Sequence, residues 1–242
     1  MSDVRSAVAE AARRLAEAGV ASPRFDAEEL AAYSLGVDRR DLWRFDAAGP
    51  DFAAYVDRRA AREPLQHITG RAHFRHLTLA VGPGVFIPRP ETELVAGAAI
   101  DAARAVVGRA PVVVDLCAGS AAIALAVASE VETARVYAVE ADPRAHRWAA
   151  RNCAGSAVEL RLGDMASAFP ELDGTVDVVV SNPPYIPVGA TVRDPEVAEH
   201  DPAPALWSGA DGLDAIRVVE QVASRLLRPG GVVVVEHADV QG

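Results

Sequence analysis

Apolar side chains recur at helical spacing through residues 1–64. Val4, Val8, Ala11 and Leu15 follow one another three or four positions apart, and later groups in this segment repeat the pattern. Such spacing puts the apolar side chains on one face of each helix, where neighbouring helices can bury them. The segment is therefore predicted to form a small helical bundle.

The pattern changes to alternation in residues 65–88. Leu77, Leu79 and Val81 are separated by single polar or small residues, and glycines lie on both sides of this run. A period of two is typical of a half-buried strand, and glycine marks turns. This segment is predicted to be a β-hairpin that links the helical bundle to the rest of the chain.

Residues 89–242 alternate between strand-like and helix-like segments. The predicted strands are residues 112–116, 134–140, 157–162, 176–181 and 232–236, and the predicted helices are residues 91–107, 120–129, 143–153 and 213–227. Strands joined through helices favour right-handed crossovers and a parallel sheet with helices on both faces. The predicted fold class is α/β, with a Rossmann-like, doubly wound and mostly parallel sheet.

Ligands of such sheets bind at the carboxyl ends of the strands, and four of these ends carry suitable residues. Gly119, in the loop after the first strand, would let the backbone approach a ligand ahead of a helix N-terminus. Glu140 follows about 20 residues later, the spacing of an acid that binds ribose hydroxyls. Asp164, after the third strand, could meet an adenine amino group, and Asn182 follows the fourth.

The segment Asn182-Pro-Pro-Tyr185 is the one that most directly suggests a reaction. An amide or exocyclic amine is a weak nucleophile, so a protein must hold its NH2 group with two acceptors and leave the lone pair facing an electrophilic carbon. The Asn182 side-chain carbonyl and the Pro183 main-chain carbonyl can supply the acceptors, in a turn that Pro184 stiffens. Tyr185 can cover the flat group. The alternative is a turn that only ends a strand, since Asn-Pro and Pro-Pro are common turn sequences.

The amino-acid composition limits the classes of binding partner and the cellular compartment that are expected. The net charge of −10 argues against direct nucleic acid binding, which needs clustered cations. Two cysteines, Cys117 and Cys153, make no disulfide framework, and we find no signal peptide or apolar stretch of about 18 residues. A cytoplasmic protein without a membrane segment is predicted. The six histidines show no ligand spacing, so no metal site is predicted.

Four stretches carry a resemblance to a known family. They are Pro64-Leu-Gln-His-Ile-Thr-Gly70, Phe86-Ile-Pro-Arg-Pro-Glu-Thr-Glu93, Ser181-Asn-Pro-Pro-Tyr-Ile186 and Ala205-Leu-Trp-Ser-Gly-Ala-Asp-Gly-Leu-Asp214. With these stretches the chain resembles the class I S-adenosylmethionine-dependent methyltransferases. More narrowly, it resembles the HemK/PrmC family, the protein-glutamine methyltransferases of peptide-chain release factors.

The resemblance implies a reaction, a cofactor and a partner. S-adenosylmethionine would methylate the side-chain amide of the glutamine in the Gly-Gly-Gln loop of a class I release factor, with S-adenosylhomocysteine as product and no metal. The implied catalytic residues are Asn182, Pro183 and Tyr185, and the same three residues with Pro184 would bind the substrate. The implied cofactor-binding residues are Cys117, Ala118, Gly119, Ser120, Ala121, Glu140, Asp164, Met165 and Asn182. Residues 1–64 would recognise the substrate, residues 89–242 would carry the methyltransferase, and the protein would be a monomer.

The chain departs from the family pattern in two places. The family loop reads Asp-Leu-Gly-x-Gly-x-Gly, whereas Cys117 and Ala121 replace the outer glycines here. A positive φ at either position would therefore strain the backbone. The family also continues beyond Gly242 into a helix and a strand pair, so we expect a five-stranded sheet with an exposed edge and reduced stability. Two alternatives stay open: a nucleic-acid amino-methyltransferase, and a non-catalytic module with a decayed cofactor loop.

Overall fold

The computed structural model describes residues 3–242 and divides them into two compact units. The helical unit comprises residues 3–70 and 193–200, and the sheet unit comprises residues 71–192 and 201–242. The segment 193–200 leaves the sheet unit shortly after Tyr185 and belongs to the helical unit.

The elements follow one another in a regular order. The helices are α1 (Val4–Glu17), α2 (Pro23–Leu35), α3 (Phe52–Ala60), α4 (Leu65–Thr69), α5 (Thr92–Arg104), α6 (Ala122–Glu130), α7 (Pro143–Cys153), α8 (Pro195–His200) and α9 (Asp214–Leu226). The strands are β1 (Arg71–Phe74), β2 (Leu77–Ala80), β3 (Val112–Leu116), β4 (Arg135–Glu140), β5 (Glu159–Leu162), β6 (Val176–Ser181) and β7 (Leu227–Val235). The 3-10 helices span Arg39–Arg44, Met165–Ser167, Pro170–Leu172, Ala203–Ala205 and Asp239–Gln241.

The helical unit buries the apolar stripe that the sequence pattern predicts. Val4, Val8, Ala11 and Leu15 are all buried on one face of α1. The helix begins after Asp3, whose side chain accepts a hydrogen bond from the Ser6 N–H at 2.7 Å and so satisfies one of the free donors of the first turn. A helical bundle therefore forms as predicted.

A buried ion-pair network also holds the helical unit together. The Arg59 guanidinium lies 2.7 Å from Asp26 on α2 and 2.7 Å from Glu196 on α8, and all three side chains are largely buried. Arg62 pairs with the same Glu196 carboxylate, so Glu196 has two cationic partners, whereas Asp26 relies on Arg59 to offset the cost of a buried charge. The network ties residues from α2, α3 and α8 into one unit.

The sheet unit contains five parallel strands in the order β5-β4-β3-β6-β7. β3 and β6 lie at the centre and are buried along their whole length. One face packs against α5, α6 and α7, and the other packs against α9. The predicted α/β, doubly wound sheet is confirmed.

Two local features differ from the sequence prediction. β7 begins at Leu227 rather than near residue 232, because Leu227 already pairs with Val176. The ladder then shifts register and resumes where Val232 pairs with Val178, so Arg228-Pro-Gly-Gly231 form a bulge, in which proline and glycine are tolerated. The second feature is the short helix α4, which precedes the antiparallel hairpin of β1 and β2.

Candidate active site

The loop between β3 and α6 makes a tight turn with three residues of positive φ. The φ angles are +66° at Cys117, +58° at Gly119 and +65° at Ala121. A residue with a Cβ costs about 1–2 kcal/mol in this left-handed region, whereas glycine adopts it freely. The two departures from the family loop, Cys117 and Ala121, therefore fall on strained positions, which agrees with the strain expected from the sequence. The Ala121 N–H closes the turn on the Ala118 carbonyl at 2.7 Å.

Asp115, the penultimate residue of β3, joins the strand before this loop to the helix after it. Its Oδ2 atom accepts a hydrogen bond from the Ala124 N–H at 3.1 Å, in the first turn of α6. The side chain is completely enclosed, and burial raises the pKa of Asp115 to about 8. The carboxyl is therefore largely protonated at neutral pH.

Glu140 joins the end of β4 to the loop after β3. Its Oε2 atom accepts a hydrogen bond from the Gly119 N–H at 2.7 Å, and its Oε1 atom accepts one from the Asp142 N–H at 2.8 Å. Burial raises the pKa of Glu140, although these backbone donors partly counteract that effect. A carboxylate with two acceptor oxygens beside a glycine turn is suited to bind a pair of vicinal hydroxyl groups.

Asp164 and Met165 lie at the end of β5 and extend the same edge. The Asp164 carboxylate accepts a hydrogen bond from the Ala166 N–H at 2.8 Å and so starts the 3-10 helix that begins at Met165. The Met165 Sδ atom lies 3.5 Å from the Cys117 Sγ atom. Burial raises the pKa of Cys117 to about 12, so this thiol is neutral and is a poor nucleophile at physiological pH.

Asn182 follows β6, and Thr92 fixes its side-chain amide. The Asn182 Nδ2 group donates a hydrogen bond to the Thr92 Oγ1 atom at 3.1 Å, and Thr92 is only 4% exposed. Because the NH2 end is held, the Oδ1 carbonyl end is left to accept a hydrogen bond from a ligand. Sequence reasoning missed Thr92, although it lies within the Phe86–Glu93 stretch that carries the family resemblance.

Tyr185 is held at both its ring and its backbone. Its hydroxyl donates a hydrogen bond to the Glu236 Oε1 atom at 3.2 Å, and its main-chain carbonyl accepts one from the Gln241 Nε2 group at 3.0 Å. Burial, reinforced by the Glu236 charge, raises the pKa of Tyr185 to about 12. Gly212 packs so close that a Cβ there would lie 2.3 Å from the Tyr185 carbonyl oxygen.

The Ala205–Asp214 stretch lies against the residue after Tyr185. The Ile186 N–H donates to the Leu206 carbonyl, and the Ser208 N–H donates to the Ile186 carbonyl, each at 2.9 Å. The stretch therefore braces the segment that carries Asn182 and Tyr185.

The structure brings most sequence-predicted site residues to one edge of the sheet. A hydrogen bond joins Gly119 to Glu140, and the sulfur atoms of Cys117 and Met165 are in contact. The Ser181 hydroxyl donates to the Leu116 carbonyl, which ties the ends of β6 and β3 together. Ser120 contributes differently, because its side chain is buried and its carbonyl accepts a hydrogen bond from Asn152. The buried side chain and the hydrogen bond from Asn152 fix the position of Ser120 in the loop.

Residues 3–242 contain neither a cluster of metal-ligating side chains nor a helix that could span a membrane. Nowhere in this range do three or more His, Cys, Asp or Glu side chains gather as they would around a metal ion. No helix in the same range has both the length and the apolar character needed to span a bilayer.

Two family models match the chain in tandem. The PrmC N-terminal domain matches residues 6–70, and the methyltransferase small domain matches residues 81–197. Both matches agree with the family resemblance found in the sequence.

Several relatives align over nearly the whole chain. A release factor glutamine methyltransferase of Streptomyces coelicolor is 62% identical over 97% of this chain and 85% of the relative. One of Mycolicibacterium smegmatis is 52% identical over 99% of this chain and 86% of the relative. A 4-amino-L-phenylalanine/4-methylamino-L-phenylalanine methyltransferase of Streptomyces pristinaespiralis is 46% identical over 97% of this chain and 83% of the relative. Together with the parallel sheet and its loops, these matches establish that the chain belongs to the HemK/PrmC family of S-adenosylmethionine-dependent methyltransferases.

Proposed function

We propose that this protein methylates the side-chain amide nitrogen of the glutamine in the Gly-Gly-Gln loop of a class I peptide-chain release factor. The observation that carries the proposal is the hydrogen bond from Asn182 to Thr92 at 3.1 Å, which turns the Asn182 carbonyl into an available acceptor. The 62% identity to a release factor glutamine methyltransferase supports the choice of substrate.

The loops at the ends of β3, β4 and β5 fit S-adenosylmethionine. Glu140 offers a half-buried carboxylate for the ribose hydroxyls, and the open space beside Gly119, where a Cβ would meet nothing within 4 Å, leaves room for the methionine portion. Asp164 and Met165 would border the adenine. When bound, this cofactor supplies a methyl group on a positively charged sulfur.

The Asn182-Pro-Pro-Tyr185 segment would hold the reacting amide. The Asn182 Oδ1 atom and the Pro183 carbonyl would each accept one N–H of the glutamine NH2 group, and the Tyr185 ring would cover its flat face. This hold orients the nitrogen lone pair toward the methyl carbon. With the cofactor bound, this nitrogen would receive the methyl group, and the amide would lose one of its two protons to solvent.

The remaining roles follow the order of the chain. Residues 1–64 would recognise the release factor, residues 65–88 would act as a linker, and residues 89–242 would carry out the transfer. The match of separate family models to residues 6–70 and 81–197 supports this division. The protein would act as a monomer in the cytoplasm without contacting nucleic acid, which accords with its net charge of −10.

A second candidate is methylation of a small aromatic amine. The relative from Streptomyces pristinaespiralis, a 4-amino-L-phenylalanine/4-methylamino-L-phenylalanine methyltransferase, is 46% identical to this chain. An aryl amine also presents a flat NH2 group that two carbonyl acceptors could hold. The identity to the release factor enzymes of Streptomyces coelicolor and Mycolicibacterium smegmatis is higher, at 62% and 52%, which favours the protein substrate.

Parallel transfer assays test the proposal. The purified protein is incubated with methyl-labelled S-adenosylmethionine and one of four acceptors: a class I release factor, the same factor with its loop glutamine changed to alanine, 4-amino-L-phenylalanine, or ribosomal RNA. We expect label only in the unaltered release factor. Label in the amine or the RNA, or equal labelling of the two release factors, would contradict the proposal.

A further inference from the structure

Glu236 is a candidate substrate contact that neither the motif nor the family resemblance indicates. It directly follows β7, and its N–H donates a hydrogen bond to the Ser181 carbonyl at 3.0 Å. Because Ser181 pairs with Val235 in the parallel ladder, Glu236 lies beside Asn182 at the carboxyl edge of the sheet.

The two carboxylate oxygens of Glu236 have different surroundings. The Oε1 atom accepts the hydrogen bond from the Tyr185 hydroxyl at 3.2 Å. The Oε2 atom is also buried, yet it has no hydrogen-bond partner among residues 3–242. A buried carboxylate oxygen without a donor is unfavourable, so a ligand that brings an N–H or O–H group would be stabilised there.

The order of the strands indicates that this donor comes from the substrate. The residues that fit the cofactor follow β3, β4 and β5, on one side of β6, whereas β7 lies on the other side. The end of β4, with Glu140, is three strand spacings from β7, or about 14 Å. Glu236 therefore lies on the side of Asn182 that faces away from the cofactor loops.

The identity of the donor follows from the proposed reaction, on which this inference rests. The two N–H groups of the glutamine amide are already taken by Asn182 and Pro183, so a further acceptor must bind a different N–H. The Gly-Gly residues beside the glutamine have no side chains and offer only main-chain N–H groups. We infer that the Glu236 Oε2 atom accepts a main-chain N–H of the substrate loop next to the reacting glutamine.

Two variants distinguish a direct contact between Glu236 and the substrate from an indirect role in which Glu236 only holds the Tyr185 hydroxyl. Glu236→Gln keeps an acceptor for the Tyr185 hydroxyl but turns an NH2 group toward the substrate N–H. Tyr185→Phe removes the same hydroxyl bond and leaves the carboxylate intact. We expect Glu236→Gln to lower kcat/KM for the release factor by about tenfold to a hundredfold, mainly through KM, with cofactor affinity and melting temperature unchanged. The loss should persist when Glu236→Gln is added to Tyr185→Phe.

Each other outcome overturns the inference. If Glu236→Gln has the KM of the wild type, the carboxylate does not touch the substrate. If the double variant is no worse than Tyr185→Phe, Glu236 acts only by holding Tyr185, and if cofactor affinity falls instead, the donor belongs to the cofactor. If Glu236→Gln does not fold, Glu236→Asp carries the same test, because it keeps the charge but withdraws the oxygens. A wild-type protein that does not methylate the release factor would refute the proposed function itself, before any variant is compared.

Discussion

Replacement of Thr92 by valine tests whether the Thr92 hydroxyl orients the side-chain amide of Asn182. Valine has nearly the shape of threonine but offers no oxygen to the Asn182 Nδ2 group, which lies 3.1 Å from Thr92 Oγ1. The amide of Asn182 could then turn over and present its NH2 end to the substrate, which also presents an NH2 group. We expect the variant to bind the cofactor normally and to transfer methyl groups slowly.

The size of the effect can be worked out from the surroundings of this bond. Thr92 is 4% exposed, so water cannot readily replace its hydroxyl, and a neutral hydrogen bond of this kind contributes about 0.5–1.5 kcal/mol. Leaving the NH2 group of Asn182 partly unsatisfied adds about 1 kcal/mol. A total near 2 kcal/mol in the transition state corresponds to a reduction of kcat by about tenfold to thirtyfold.

The assay compares Thr92→Val with Thr92→Ser. Serine keeps the hydroxyl and loses only a methyl group, so most of the wild-type kcat should return. Calorimetric titration with S-adenosylmethionine should give similar affinities for both variants. Wild-type turnover by Thr92→Val, or equal loss in the two variants, would refute the idea that the hydroxyl orients Asn182.

Three other predictions concern stability. Burial raises the pKa of Asp115 from 3.8 to about 8, so the folded state keeps the Asp115 proton at pH values where the unfolded state has lost it. The contribution of this group to the free energy of unfolding is therefore complete below pH 3.8 and is lost as pH rises to about 8. Denaturant titrations should show wild type losing up to about 1.4 kcal/mol per pH unit relative to Asp115→Asn in that window, and a constant difference would speak against the raised pKa. Ala121→Gly should be about 1–2 kcal/mol more stable than Ala118→Gly, since both alanines are buried but only Ala121 has positive φ; equal values would exclude strain at Ala121. Arg59→Met should cost about 3–5 kcal/mol because it removes the cation that pairs with the buried Asp26 carboxylate, although Glu196 keeps Arg62. Arg58→Met, from a partly exposed pair, should cost less than about 1 kcal/mol; similar losses would contradict the ion-pair account.

The sheet and the residues at its strand ends could be predicted because their signals are local. β3 and β6 appear as short apolar runs, and the structure gives them the predicted bounds of 112–116 and 176–181. The glycines and acids of the candidate site directly follow such runs in the chain. They can therefore be found from the predicted ends of the strands, without knowing how the helices and strands pack. The strain at Cys117 and Ala121 was predictable in the same way, from a mismatch between residue type and a turn that needs positive φ.

Thr92 and Glu236 could not be predicted as site residues because their contacts join distant parts of the chain. Thr92 meets Asn182 across 90 positions of sequence, and Glu236 meets Tyr185 across 51. Threonine at the start of a helix and glutamate after a strand are common for local reasons, so neither residue stands out in the sequence. The predicted start of β7 at residue 232 matches the regular ladder but misses the pair at Leu227, which the bulge of Arg228–Gly231 separates from the rest of the strand.

Mapping the transferred methyl group by tandem mass spectrometry tests the central claim most directly. A class I release factor is treated with S-adenosylmethionine and either the wild-type protein or Asn182→Ala, and its peptides are sequenced. We predict one added methyl group on the side-chain nitrogen of the Gly-Gly-Gln glutamine with wild type. Asn182→Ala should bind the cofactor as wild type does but transfer at least about a hundredfold more slowly, because it lacks the acceptor that orients the amide. A methyl group on any other residue, or unchanged transfer by Asn182→Ala, would contradict the account.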